Sequence, residues 1–211
     1  MTFSVAVMNT KGGCGKTTVA THLAAGFAAS GLIAALADYD KQKSACLFGE
    51  LRPESAAPIE VIDWRGAGFG KVGRSVQRLI IDCPASLKAG RAREVIREAD
   101  AVVVPVQASI YDERATIRFL DEIEDLKKIR SGKKQILLVA NRFRPTSPQA
   151  KRLERVLLGH GHAIVARISD KSLYPKLAEQ GLTVFDLKSK SAASEQESWL
   201  PLLESLEKSV S

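Results

Sequence analysis

The stretch MNTKGGCGKTT, residues 8–18, decides the fold that we predict for this chain. It follows the apolar run Phe3 to Val7, which is typical of a buried β-strand, and it leads into Thr17 to Ser30, which favours a helix. A glycine-rich turn between a strand and a helix N-terminus points successive backbone N–H groups at phosphate oxygens. The stretch therefore predicts a phosphate-binding loop.

The residue types in this loop suit that chemistry. The glycines let the backbone turn tightly. Lys16 can reach the β- and γ-phosphates, and the hydroxyl of Thr17 can bind Mg²⁺. The predicted nucleotide-binding set in the loop is Gly12, Gly13, Cys14, Gly15, Lys16, Thr17 and Thr18.

The loop departs from the usual P-loop pattern G-x-x-x-x-G-K-[ST], because Thr10 replaces the first glycine and Lys11 adds a second lysine. This variant resembles the signature of the deviant Walker A ATPases of the ParA/MinD family. The resemblance implies ATP and Mg²⁺ as cofactors, ATP hydrolysis catalysed with Lys16, and a homodimer in the ATP-bound state. It also implies that Lys11 crosses the dimer interface to the nucleotide of the other subunit and assists catalysis. On the residues alone, a solvated lysine at a loop edge is the alternative.

Acidic residues follow two further apolar runs. Asp38 and Asp40 come after Leu32 to Leu36, and Asp82 comes after the run that starts at Leu79. Because the carboxyl ends of parallel strands meet at one edge of a sheet, these acids are expected beside the loop. Asp82 fits the Walker B position, where an aspartate holds Mg²⁺, and Cys83 to Ser86 occupies the place of the family's switch II.

The segment from Asp38 to Gln42 resembles the family's D-x-D-P-Q switch I, with Lys41 in place of the proline. The resemblance implies that Asp40 orients the attacking water and that Asp38 takes part in catalysis and supports the Mg²⁺ shell. A water molecule is a poor nucleophile and must be held in line with the γ-phosphorus. The alternative is that Asp38 and Asp40 only end a strand and cap the next helix.

The alternation of apolar runs and helical patterns predicts an α/β fold: a doubly wound, mostly parallel sheet flanked by helices. With the loop, this is a P-loop NTPase fold of the deviant Walker A type, expected as one domain over residues 1–211. Pro105 suits a strand end better than a central position, Pro201 either starts or bends the last helix, and residues 181–185 resemble the family's closing strand. Further strands are predicted at 59–64, 79–82, 101–106, 135–140 and 163–168, and further helices at 91–99, 112–130, 149–158 and 195–210.

Asn141 directly follows the predicted strand 135–140. The resemblance implies that its amide reads the edge of adenine, whose donor–acceptor pattern an amide can match. An asparagine at the end of a strand is also an ordinary turn residue, so both interpretations stay open.

The composition points to a globular protein with basic character, with a formal net charge of +7. No apolar run reaches the length of a membrane span and the start of the chain does not read as a secretory signal, so we expect a cytoplasmic protein. Three widely spaced cysteines argue against a disulfide framework, a zinc site or an iron–sulfur cluster.

The positive charge is concentrated late in the chain, where residues 141–190 hold ten Lys and Arg against four Asp and Glu. The resemblance implies non-specific DNA binding by this region, which needs charge density and no base-reading motif. A surface that serves only solubility is the alternative. The candidate DNA-binding residues are Arg167, Lys171, Lys176, Lys188 and Lys190.

The resemblance implies a switch that binds the nucleoid as an ATP dimer and partitions or positions a cargo, such as a plasmid, a chromosome region or a protein complex. A ParB-like or cargo adaptor protein would stimulate hydrolysis. The nearest alternative is a MinD-like ATPase that cycles on membranes. Here the last helical stretch is acidic, with Glu195, Glu197, Glu204 and Glu207, so no stable membrane anchor is expected. A metabolic enzyme on the same fold and a nucleotide-locked scaffold are further alternatives.

Overall fold

The computed structural model of the protein describes residues 1–65, 70, 72–85, 87, 89–124, 126 and 134–210, without the side chains of residues 89 and 191. In these ranges the chain forms a seven-stranded sheet in which all paired strands are parallel. Its strands are β1 Phe3–Val7, β2 Ala34–Asp38, β3 Ile59–Asp63, β4 Arg78–Asp82, β5 Ala101–Val106, β6 Gln135–Phe143 and β7 Ile164–Ser169.

Helices cover both faces of this sheet. They are α1 Lys16–Ala29, α2 Ser44–Leu51, α3 Ala89–Glu98, α4 Ile110–Glu124, α5 Pro148–Gly159, α6 Leu173–Ala178, a 3₁₀ turn Val184–Asp186, α7 Lys190–Glu197 and α8 Leu200–Lys208. None of the helices in the described ranges combines the length and apolar character that a membrane span requires.

The core lies in two layers, because alternate residues of a strand point to opposite faces of the sheet. Val5 and Val7 of β1 belong to one buried cluster together with Phe27 of α1. Ala6, between those two valines, belongs to the other cluster, which includes Leu153 of α5. The doubly wound α/β architecture predicted from the sequence is confirmed.

The strand order β3-β2-β4-β1-β5-β6-β7 places β1 in the middle of the sheet. The chain therefore leaves β1 where the direction of winding reverses, which is where open α/β sheets bind ligands. Register brings Val7 of β1 opposite Asp82 of β4, and Asp82 opposite Asp38 of β2. The loop after β1 and the two aspartates thus share one edge.

Several predicted boundaries were wrong, and each has a physical reason. Strand β6 continues through Asn141 to Phe143, past an irregularity in its pairing with β7. Residues 184–186 form a 3₁₀ turn with a Thr183–Asp186 capping box rather than a strand. The last helical stretch is two helices, and Pro201 lies in the first turn of α8, where its missing N–H is not needed.

Two other predictions are partly tested. Helix α4 is described to Glu124, and residues 125 and 127–130 of its predicted extent lie outside the described residues. Pro105 belongs to β5, between β1 and β6, but the pairing with β1 ends at Val103. Because the sheet no longer needs an N–H from Pro105 on that side, the proline is tolerated there.

Candidate phosphate and nucleoside site

The loop after β1 has the tight geometry that its glycines suggest. Gly13 and Gly15 have φ angles of 78° and 94°, in the left-handed region that favours glycine. A Cβ atom at Gly15 would lie 1.9 Å from Nδ2 of Asn141. Glycine at position 15 therefore allows both the unusual backbone angle and the close approach of the Asn141 side chain.

The side chain of Lys16 lies against the inner side of this loop, and only 8% of the surface of Lys16 is exposed. Its Nζ donates a hydrogen bond to the carbonyl oxygen of Lys11 at 3.1 Å and lies 3.9 Å from Sγ of Cys14. From this position the ammonium group can exchange its hydrogen bond to the loop carbonyl for one to a phosphate oxygen. The side chain of Lys11 itself is half-buried at the loop entrance.

The hydroxyl of Thr17 donates a hydrogen bond to Oδ2 of Asp82 at 2.7 Å. Asp82 is buried, and its Oδ1 has no hydrogen-bond partner among the described residues. Burial raises the pKa of Asp82 to about 7, and the negative charge of Asp38 adds to that effect, while the Thr17 hydrogen bond and Lys16 oppose it.

This arrangement fits a magnesium ion. Mg²⁺ prefers oxygen ligands and commonly binds through one or two protein groups plus phosphates and water. The hydroxyl of Thr17 and the unpartnered Oδ1 of Asp82 supply oxygens of that kind. A cation there would also compensate the buried negative charge of Asp82.

Asp38 is completely buried, and both of its carboxylate oxygens accept backbone hydrogen bonds. Oδ1 accepts from the N–H of Asp40 and Oδ2 from the N–H of Cys46, each at 2.9 Å. Cys46 is the third residue of α2, whose N-cap Lys43 makes no side-chain cap. Asp38 thus caps α2 from the end of β2, which was one of the two alternatives left open by the sequence.

Asp40 is half-buried at the same edge, and its Oδ1 accepts a hydrogen bond from the N–H of Gln42 at 3.0 Å. Its backbone N–H is the group held by Asp38. The position of Asp40 therefore depends on Asp38. Of the stretch compared with switch II, Cys83 is buried and Ser86 lies outside the described residues.

A cavity of about 540 Å³ opens next to the loop, between the ends of β6 and β7. Thr18 and Asn141 form its boundary with the loop, and the Nδ2 of Asn141 donates to the carbonyl of Cys14 at 2.9 Å. The amide nitrogen of Asn141 thus braces the loop. The other lining residues are Arg142, Arg144, Ser169, Asp170, Lys171, Ser172, Tyr174, Pro175 and Ala178.

The five candidate DNA-binding residues fall into two groups. Arg167 pairs with Glu154, and Lys171 pairs with the buried Glu195, so both charges are compensated. Lys176, Lys188 and Lys190 are exposed and form no ion pair with a described residue.

Sequence reasoning missed Asn9, which is buried at the start of the loop. Its Nδ2 donates to the carbonyl of Pro105 at 2.8 Å and to the hydroxyl of Thr116 at 2.9 Å. Its Oδ1 accepts the N–H of Lys11 at 3.2 Å. The available signal was the short-range tendency of asparagine to bond the backbone two residues on.

Comparison with known proteins agrees with this geometry. Residues 5–184 match the family model described as the CobQ/CobB/MinD/ParA nucleotide binding domain. The maintenance of carboxysome distribution protein A of Halothiobacillus neapolitanus is 27% identical over 201 residues, covering 92% of each chain.

Two solved structures have the same fold. A complex of a Cyanothece McdA variant with ATP has a TM-score of 0.73 at 16% identity, covering 99% of this chain and 96% of that one. The MinD cell division protein of Aquifex aeolicus has a TM-score of 0.74 at 15% identity, covering 98% of this chain and 97% of that one. At this level of identity the likeness concerns the fold.

Proposed function

The chain belongs to the CobQ/CobB/MinD/ParA nucleotide-binding family, and from this premise we propose that it is an ATPase whose ATP-bound dimer positions a cargo. One observation supports the proposal most. Lys16, Thr17 and the unpartnered oxygen of Asp82 lie together at the carboxyl edge of β1 and β4. That combination suits a triphosphate with its magnesium ion.

In this proposal the loop binds the phosphates with its backbone N–H groups and with Lys16. Lys16 gives up its bond to the Lys11 carbonyl, and Thr17 and Asp82 hold Mg²⁺. The ion, when bound, neutralises charge on the β- and γ-phosphates. Asp38 serves this site by holding the N–H of Asp40. Among the described residues, each of its oxygens accepts only one N–H, so the carboxylate keeps lone pairs that would support the Mg²⁺ shell.

Asp40 orients the attacking water in this account, and Lys11 reaches the nucleotide of a second subunit. Lys11 is half-buried at the mouth of the loop, and its backbone N–H is held by Asn9. A cation supplied across a dimer interface would stabilise charge on the transferring phosphoryl group. Hydrolysis then separates the subunits. The single-domain organisation over residues 1–211 is part of the proposal.

In this proposal the ATP-bound dimer binds non-specific DNA, so the protein would associate with the nucleoid. The exposed Lys176, Lys188 and Lys190 are its leading contacts, because no described carboxylate neutralises them. The names of the relatives, a carboxysome distribution protein and MinD, favour intracellular positioning as the purpose. A cargo adaptor protein would stimulate hydrolysis.

The membrane-cycling alternative would need an apolar helix face free for lipid. In and around α8, Trp199, Leu202 and Leu206 are completely buried in the core, whereas Leu200 and Val210 are exposed. Glu207 is also bonded to Arg78 of β4. These contacts disfavour α8 as a membrane-binding helix.

The direct test is ATP hydrolysis by the purified protein with Mg²⁺ and DNA, comparing wild type with Lys16→Ala. We expect the rate of Lys16→Ala to fall by at least about 10²-fold, because an electrostatic stabiliser of the phosphates is removed. Lys208→Ala, an exposed lysine of α8, is the matched control and should keep the wild-type rate. Equal rates in all three proteins would refute the proposed ATPase.

A further inference from the structure

Three residues that line the 540 Å³ cavity hydrogen-bond to one buried carboxylate. The Oε2 of Glu195 accepts from the hydroxyl of Ser169 at 2.7 Å and from the hydroxyl of Tyr174 at 2.9 Å. Its Oε1 accepts from Nζ of Lys171. Ser169, Lys171 and Tyr174, from the end of β7 to the start of α6, form one wall of the cavity.

Glu195 reaches this wall from helix α7, outside the residues that the family model matches. Only 4% of its surface is exposed. Burial opposes its ionisation, but hydrogen bonds from Lys171, Ser169 and Tyr174 outweigh that effect and hold the pKa of Glu195 below its usual value. The carboxylate is therefore charged and compensated by the wall itself.

Beyond β7, which is paired with β6, this wall continues into a short helix. Helix α6 has six residues, and its N-cap Ser172 makes no side-chain cap. The turn that enters it has a long bond of 3.4 Å from the N–H of Tyr174 to the carbonyl of Lys171. Glu195 supplies the stronger contacts, since hydrogen bonds to an ionised acceptor are about twice as strong as neutral ones.

The support behind Glu195 is rigid. The indole N–H of Trp199 donates to the hydroxyl of Tyr174 at 3.4 Å. The ring of His22 stacks on Trp199 with centroids 4.6 Å apart, and Trp199 is completely buried. Helix α7 is also tied down by Gln196, whose amide donates to the carbonyls of Val184 and Leu187.

We propose that Glu195 is a positioning residue for the nucleoside subsite: it fixes the wall that contacts the base and ribose of a bound nucleotide. The proposal rests on the proposed function, since it takes the cavity beside the loop as the place of the nucleoside. Glu195 holds only the wall beside the nucleoside, and the phosphates are bound by the loop. A negative charge would repel phosphates, and Lys171 neutralises it on the cavity side.

The test compares the affinities of ATP and inorganic tripolyphosphate, each with Mg²⁺, by titration calorimetry. We expect Glu195→Gln to weaken ATP binding about tenfold, because charge-assisted hydrogen bonds hold the wall. Tripolyphosphate, which has no nucleoside, should bind as it does to wild type. Glu197→Gln is the matched control, with the same change on an exposed position of α7, and it should change neither affinity.

A second variant keeps the test decisive if Glu195→Gln folds poorly. Tyr174→Phe removes one donor to Glu195 and preserves the ring, so it should weaken ATP binding several-fold and leave tripolyphosphate unchanged. In the double variant the two effects should be less than additive, because Tyr174 acts with Glu195.

The outcomes separate the two proposals. An equal loss of affinity for both ligands, or no loss for either, contradicts the role of Glu195 while the ATPase proposal stands. Failure of wild type to bind ATP overturns the proposed function, and the nucleoside subsite with it.

Discussion

The phosphate side of the site and the C-terminal region beside the 540 Å³ cavity are built in different ways. On the phosphate side, the groups come from one short stretch and from strand ends, as with Thr17 and Asp82. The C-terminal region is held by pairs of distant residues, such as Arg52 with Asp186 and Arg78 with Glu207. The groups that carry the chemistry thus come from segments that each have a local sequence pattern, although these segments are far apart in the chain. The framing of the site depends on contacts between distant residues that have no such pattern.

This difference predicts that changes on the two sides have different consequences. A change on the phosphate side should remove turnover and leave the fold. A change among the distant pairs should lower the free energy of unfolding and leave the chemistry of the loop. The following experiments test that division.

The largest effect is expected for Asp82→Asn. The substitution keeps the size of the side chain but removes the charge that would hold Mg²⁺, so the hydrolysis rate should fall by about 10³-fold. Steady-state hydrolysis with saturating ATP measures this, and circular dichroism should show the wild-type fold. A rate within about threefold of wild type would mean that Asp82 does not serve the metal.

On the framing side, Arg52→Ala should lower the free energy of unfolding by about 3 kcal/mol, because it leaves Asp186 buried without its partner. The side chains of Arg52 and Asp186 are only 6% and 5% exposed. Arg78→Ala should cost less, about 1 kcal/mol, because 42% of the Glu207 side chain is exposed to solvent. Urea unfolding measures both. Equal losses of unfolding free energy would contradict the difference that we expect from the burial of the two ion pairs.

The junction between the two regions is expected to respond to pH through His22. Complete burial lowers the pKa of His22 to about 4, although the Thr18 carbonyl opposes this. The unfolded chain binds this proton near pH 6.5, so stability is lost as the pH falls below that value. At about pH 5 the loss is about 2 kcal/mol.

Asp82 titrates in the opposite sense, because its raised pKa stabilises the fold as the pH falls below about 7. The measurement is therefore the difference between wild type and His22→Phe, which retains a ring against Trp199. The gap in unfolding free energy between the two should change by about 2 kcal/mol from about pH 7 to about pH 5. A constant gap would show that His22 does not titrate as described.

The smallest effects are expected when exposed basic residues that are candidates for DNA binding are replaced. Replacing Lys176, Lys188 and Lys190 together by alanine should reduce the salt dependence of DNA binding, by nearly one unit of log–log slope for each phosphate that the protein no longer binds. Arg167→Ala should change that slope less, because Arg167 is already paired with Glu154. Fluorescence anisotropy across a salt series measures this. If Arg167→Ala changed the slope more than the triple lysine variant does, the DNA-binding surface would lie nearer to β7.

The same division explains what the sequence could and could not predict. The loop at residues 8–18 and the acids at 38, 40 and 82 were predictable, because a strand, a glycine turn and a helix leave a local pattern. Runs of apolar residues also predicted the seven strands of a mostly parallel sheet, whereas the closing strand expected at residues 181–185 from the family resemblance is one that the structure does not form.

The contacts that frame the site could not be predicted, because the residues that form them lie more than about twenty positions apart, beyond the reach of a local sequence pattern. Nothing near Glu195 in the sequence points to Ser169 or Tyr174, and its neighbour Glu197 is only an exposed acid. Likewise, Lys171 resembled a free cation until its pairing with Glu195 was visible. The capping role of Asp38 depended on the backbone of Cys46, eight residues away.

The central claim, that ATP closes two copies of this chain into a dimer, is tested most directly by the mass of the protein in solution. Light scattering would measure Asp40→Ala, in which we expect hydrolysis to be blocked, under three conditions: with ATP and Mg²⁺, with ADP and Mg²⁺, and without nucleotide. We expect twice the 22.8 kDa of one chain in the ATP condition and in neither of the others. A mass of one chain at saturating ATP would contradict the account.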